Sequence, residues 1–164
     1  MALLALALAS NARAAAVGVW SDERGEAEAA RVIAECLQPF EGAIGYQNRQ
    51  ACVGKPVERC RTAVAANERL LAACVAYAFR AWDARLAGQV TRLRAMAGLH
   101  RPEFEESQSA FAVWSERDCA FQAVRAGRGS MGGYVLTSCK LAHAGQRALE
   151  LELLADEWAA HPPD

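Results

Sequence analysis

Few residues of this chain could do chemistry. The densest group is the glycine run "GRGSMGG", Gly127 to Gly133. Gly127, Gly129 and Gly132 fall in the G-x-G-x-x-G spacing of a dinucleotide fingerprint, whose helix N-terminus takes a pyrophosphate. That chemistry needs a strand before the turn and an acidic residue about 20 positions on, closing a second strand. Here "FAVWSERDCAFQAV" precedes the run and "LELELLADE" comes after it, and both read as helix. The nucleotide reading fails on context. Ser130 is no elbow nucleophile either, because Arg128 rather than Gly stands two before it. Glycines that turn the chain between antiparallel helices explain the run better. One binding option stays open. Backbone N–H groups at the start of the last helix could hold an anion or a partner's carboxylate, helped by Arg125 and Arg128.

Cys139 and His143 lie at i, i+4 on one predicted helix face. Two metal ligands could use that spacing, but only two are visible, so no metal site is expected. His100, His143 and His161 fall in separate segments. Glu105-Glu106 and Glu150/Glu152 read as helix-surface charge. With no convergent nucleophile, base or metal cluster, neither an enzyme nor a cofactor is expected. Six cysteines, at 36, 52, 60, 74, 119 and 139, form an even set without a C-x-x-C pair. In an exported chain of 164 residues that number points to disulfides, with fifteen connectivities open; buried cytosolic thiols are the alternative.

The elements that must position these residues read as helices. Hydrophobic residues make up 53% of the chain, with alanine, the best helix former, leading them. Ser21 or Asp22 caps a first helix that stops near Gln38, ahead of Pro39 and Gly42. Residues 39–56 read as a loop, with a helical turn after it at about 57–65. Asn67 caps the longest helix. Its stripe of Leu71, Cys74, Val75, Ala78, Trp82, Leu86, Val90 and Leu93 ends near Ala97-Gly98. Pro102 opens the next helix, with Glu103, Glu105 and Glu106 in its first turn, and it runs to about Ala126. A last helix begins after Gly133 and ends before His161-Pro162-Pro163. The fold class is therefore all-α, a small disulfide-stapled bundle of three to four helices. Cys119 lies about two turns before the glycine run and Cys139 about two turns into the last helix. A bridge between them would clamp the hairpin, worth about 3 kcal/mol of loop-closure entropy.

The N-terminus, "MALLALALASNARAAA", carries an uncharged Ala/Leu run and then Ala12-Arg13-Ala14. This has the form of a secretory signal cleaved after Ala14, although no Lys or Arg precedes the run; an Ala/Leu-rich first helix is the alternative. The run is too short to span a bilayer, which takes about 20 residues. The formal net charge of −1 gives no reason to expect a nucleic-acid partner. The chain then divides into a signal at 1–14, an N-terminal helix and loop at 15–56, a helical domain at 57–160 and a tail at 161–164.

Cys60 and Cys74, Trp82-Asp83-x-x-Leu86, and Ser107-Gln108-Ser109-Ala110-Phe111 before Cys119 form the first half of a pattern. Gly129-Ser130-Met131, Cys139 and Arg147-Ala148-Leu149-Glu150-Leu151 form the second half. Together, from Cys60 to Leu154, they resemble the LprI-like lysozyme-inhibitor domain, a small helical module of exported bacterial proteins. The likeness has departures. Phe111 replaces the usual Trp, and Trp114-Ser115-Glu116 stand for the usual Phe-Arg-Asp. The resemblance implies bridges Cys60–Cys74 and Cys119–Cys139, leaving Cys36 and Cys52 to pair. It implies a periplasmic or secreted non-catalytic protein that blocks a lysozyme cleft; an envelope scaffold or adaptor of the same fold is the alternative. Lysozyme would be the partner, with no nucleic acid, membrane span or small-molecule cofactor. Two contact surfaces are then expected. One is the tip of the glycine run, Arg128, Gly129, Ser130 and Met131, aimed at lysozyme's carboxylates. The other is the acidic segment Glu150 to Glu157, which could steer a basic partner.

Overall fold

The computed structural model describes residues 20, 22–40, 46–64, 68–127 and 129–161. Six α-helices occupy them: α1 (Asp22–Leu37), α2 (Tyr46–Gln50), α3 (Lys55–Val64), α4 (Glu68–Met96), α5 (Arg101–Ala126) and α6 (Ser130–Ala160). Short 3₁₀ turns at Gln38–Phe40 and Gly98–His100 come after α1 and α4. No strand occurs among the described residues. No described helix is long and apolar enough to cross a membrane.

The four long helices match the expected bundle, and the apolar spacing in each explains why. α4 turns Cys74, Val75, Ala78 and Trp82 inward, one buried row at three- and four-residue steps. α6 answers with Leu141, Ala144, Ala148 and Leu149. Trp20 and Val32, Ile33 and Leu37 of α1 join this same core. Where α4 and α6 run on, a second cluster forms from Leu93, Ala97, Phe104, Leu151 and Ala155. Small alanines at the contact let the helix axes approach closely.

Two boundaries differ from the sequence reading. The segment expected as plain loop at 39–56 contains α2, and Lys55 already begins α3 with Pro56 in its first turn. Arg49 of α2 is buried and donates to the Phe40 carbonyl at 2.8 Å, while its guanidinium meets Glu152 of α6 at 3.3 Å. Arg85 of α4 also donates to Glu152, at 3.0 and 2.5 Å. Tertiary partners, not local propensity, therefore hold this turn. The second difference is at α6, which starts at Ser130 rather than after Gly133. The capping residues expected at Ser21 and Asn67 lie outside the described side chains.

Three disulfides fasten the helices: Cys36–Cys52, Cys60–Cys74 and Cys119–Cys139. They are the pairs that the resemblance implies. The first ties the end of α1 to the turn after α2, the second ties α3 to α4, and the third ties α5 to α6. The third has the most to hold. α5 leans on α6 and hardly touches α4, and Phe104 and Cys119 are its buried residues.

Candidate functional site

The α5–α6 hairpin carries the described side chains with unusual surroundings. Its register is set by the buried Cys119–Cys139 bridge. One helical turn back on α5 and one turn on along α6, Ser115 faces His143; a further turn out, the Arg147 guanidinium sits over the Phe111 ring at 5.4 Å. Arg147 also donates to Ser107 on α5 at 3.0 Å.

Around His143 the hairpin gathers a polar cluster beside the bridge. The Ser115 hydroxyl lies 3.0 Å from His143 Nδ1, and Asp118 Oδ2 lies 3.3 Å from Nε2. Gln122 donates to the same carboxylate oxygen at 2.8 Å. The Trp114 ring stacks on the imidazole, with centroids 4.4 Å apart. A hydroxyl, an imidazole and a carboxylate in this order share the connectivity of a nucleophilic triad. Acyl transfer also needs donors aimed at the developing oxyanion. Ser115 stands mid-helix, where the backbone N–H groups are spent on the i→i−4 ladder, so that part of the chemistry is missing. Asp118, Cys119, Cys139 and His143 also bring one ligand atom each within 4.8 Å of one another. While the bridge is closed, its sulfurs are not thiolates.

Outside this cluster, the free side of α5 is apolar. Val113, Trp114, Phe121 and Val124 are all more than half exposed, and with Ala110 they form a stripe at three-, four- and seven-residue steps. At the start of α6, Met131 and Tyr134 are also exposed, Tyr134 on the side that faces Val57 and Arg61 of α3. Large exposed side chains such as Trp114 and Phe121, set among Glu106, Ser109 and Arg117, are the kind of surface an interaction uses. Arg117 lies within the stripe and Arg125 sits over the Phe121 ring at 5.8 Å.

At the hairpin tip, Arg128 lies outside the described residues. Gly129 and Ser130 are exposed and Met131 is 60% exposed; Ser130 and Met131 belong to the first turn of α6. Each fingerprint glycine has a structural reason. Gly127 and Gly129 have φ of 96° and 91° with extended ψ, a region open essentially to glycine alone. A Cβ on Gly132 would sit 2.4 Å from the Gly127 carbonyl oxygen and 3.3 Å from that of Ala123. These constraints tighten the connection and start α6 early.

The acidic segment of α6 is largely spent inside the molecule. Glu152 is shared by Arg49 and Arg85, Asp156 meets Arg92 at 3.1 Å, and Glu150 meets Arg147 at 3.1 Å. It therefore presents much less negative field than four acids suggest.

Ser115, Asp118 and Trp114 are the site residues that sequence reasoning missed. A register signal existed. Once Cys119 and Cys139 are paired, stepping one turn outward on each helix puts Ser115 opposite His143. Residues 60–151 match a family model described as Lysozyme inhibitor LprI. Comparison with curated proteins and with solved structures finds no match.

Proposed function

The chain belongs to the LprI lysozyme-inhibitor family, and on that premise we propose that it is an extracytoplasmic, non-catalytic protein that docks over a lysozyme cleft and blocks it. The family match over 60–151 carries this reading. Three bridges in a bundle of this size fit an oxidising compartment. The docking face we assign is the apolar stripe of α5, with Trp114 and Phe121 as anchors. Aromatic side chains on a rigid element give large contact area at low entropic cost. Gly129, Ser130 and Met131, exposed at the start of α6, together with Arg128, which lies outside the described residues, are assigned to enter the cleft beside the catalytic carboxylates. Shape and apolar burial then supply the affinity. Long-range steering by Glu150 to Glu157 contributes little, because three of those acids are paired within the chain.

The test is a titration of lysozymes of different classes with the purified, oxidised protein, tracking cell-wall hydrolysis. Saturable inhibition of at least one class is expected. Replacing Trp114 and Phe121 by Ala should weaken it by roughly 10- to 100-fold, since buried aromatic anchors contribute about 2 kcal/mol or more. The melting temperature should change little for Phe121→Ala and fall modestly for Trp114→Ala, which also removes the stack on His143. Full activity of every lysozyme in the presence of excess protein would leave the scaffold reading in its place.

A further inference from the structure

The hairpin cluster shares Trp114 with the docking face, but its ligand atoms do not depend on that reading. We propose that, once a small dithiol has reduced the Cys119–Cys139 bridge, Asp118, Cys119, Cys139 and His143 form a zinc site that clamps α5 to α6.

Each helix supplies two ligands. Asp118 and Cys119 are neighbours on α5, and Cys139 and His143 are one turn apart on the facing side of α6. Tetrahedral zinc has bonds of about 2.0 Å to N or O and about 2.3 Å to thiolate S. Ligand atoms are then about 1.6 bond lengths apart, or roughly 3.3 Å for N to O and about 3.5 Å for S to N or O. Asp118 Oδ2 and His143 Nε2 are 3.3 Å apart. Cys139 Sγ is 3.8 Å from that oxygen and 4.0 Å from that nitrogen. These three atoms already outline one face of the tetrahedron. The fourth corner falls to Cys119 Sγ, which must rotate toward the Nε2 side once the S–S bond opens. In the closed bridge it lies 3.6 Å from His143 Nδ1 and within 4.8 Å of the other three ligand atoms. A supporting shell is also present. With zinc on Nε2, the His143 Nδ1–H donates to the Ser115 hydroxyl, Gln122 orients the Asp118 carboxylate, and Trp114 fixes the ring plane.

The reaction balances. The dithiol passes two electrons to the bridge, the S–S bond breaks, two cysteine thiols form, and the dithiol closes into its own disulfide. Zinc displaces the two thiol protons to solvent. It then takes two thiolates, one carboxylate and a neutral imidazole, a donor set typical of this borderline cation. The hairpin thus has two alternative clamps, a covalent one when oxidised and a metal one when reduced.

Cobalt(II), titrated into the full-length protein before and after reduction and removal of the dithiol under anaerobic conditions, tests this. The oxidised protein should show no thiolate-to-cobalt charge-transfer absorption. The reduced protein should take up one equivalent with that absorption and tetrahedral ligand-field bands, and zinc should bleach both. Asp118→Asn and His143→Gln should each weaken binding by about tenfold or more, and Ser115→Ala by up to about tenfold. The double variant Cys119→Ser/Cys139→Ser should lose the absorption, although four other thiols remain. Three results overturn the proposal. They are no absorption on reduction, absorption that survives in the double variant, and affinity unchanged by both Asp118→Asn and His143→Gln. The last is also what capture by a chain unfolded on reduction would give.

Discussion

Single residues decide the hairpin connection. Gly132 is required for space, because a methyl group there would be driven into two backbone carbonyls that cannot step aside. Gly133, one residue on, has nothing near its missing Cβ. The pair gives an opposed prediction. Gly132→Ala should lower stability by about 1–3 kcal/mol, as overpacking does, whereas Gly133→Ala should be neutral or stabilise by up to about 1 kcal/mol. Thermal melts of the two variants check it, and equal effects would show that helix propensity alone governs both positions. The glycine run was legible as a turn, because positive φ is a local demand that residue type reveals. That Gly132 answers to a carbonyl five residues earlier, and not to φ, was not legible, since close approach is a property of the folded turn.

Among the elements, α5 is the least anchored long helix. α4 and α6 bury continuous apolar rows against each other, while α5 contributes Phe104 and Cys119. Its attachment rests on the Cys119–Cys139 bridge and on polar contacts such as Arg147 to Ser107 and Lys140 to Glu116. The double variant Cys119→Ser/Cys139→Ser should lose about 3 kcal/mol of stability, the closure entropy of its loop. Hydrogen exchange should accelerate most along 105–126, while amides of α4 near Trp82 keep their protection, because α5 opens without disturbing the first core. Uniform acceleration across all helices would argue that the bundle opens only as a whole. The existence of α5 was clear from its acidic first turn and Pro102. Its free apolar face was not, because helical spacing alone does not say which of Phe104, Phe111, Trp114 and Phe121 meets a neighbour. The structure buries the first, half-covers the second and leaves the last two outward.

For the whole molecule, acid is the informative variable. Hydrogen bonds from Arg31 to Glu28, Lys55 to Glu58 and Arg94 to Glu105 hold all three carboxyls below the usual value of 4.5. A carboxyl depressed on folding adds stability above its unfolded pKa and loses it as pH falls through the folded one. The melting temperature should therefore stay nearly flat from neutrality to about pH 5 and fall below about 4.5, with Glu105→Gln flattening the fall. Melts that rise on acidification from pH 5 to 3 would contradict this pairing. The pairs are exposed, so added salt should shrink the effect. By itself the sequence determined what is local. It set the helical class, most helix limits and the glycine turn, because three- and four-residue apolar spacing, capping and positive φ act over a few residues. Through its resemblance it also implied the family. Tertiary structure alone decided what converges across the chain: Glu152 shared by two arginines, Ser115 and Asp118 closing on His143, and the apolar side of α5 left to solvent. Register between helices and the exposure of a face depend on where neighbours stop, and no window of residues contains that.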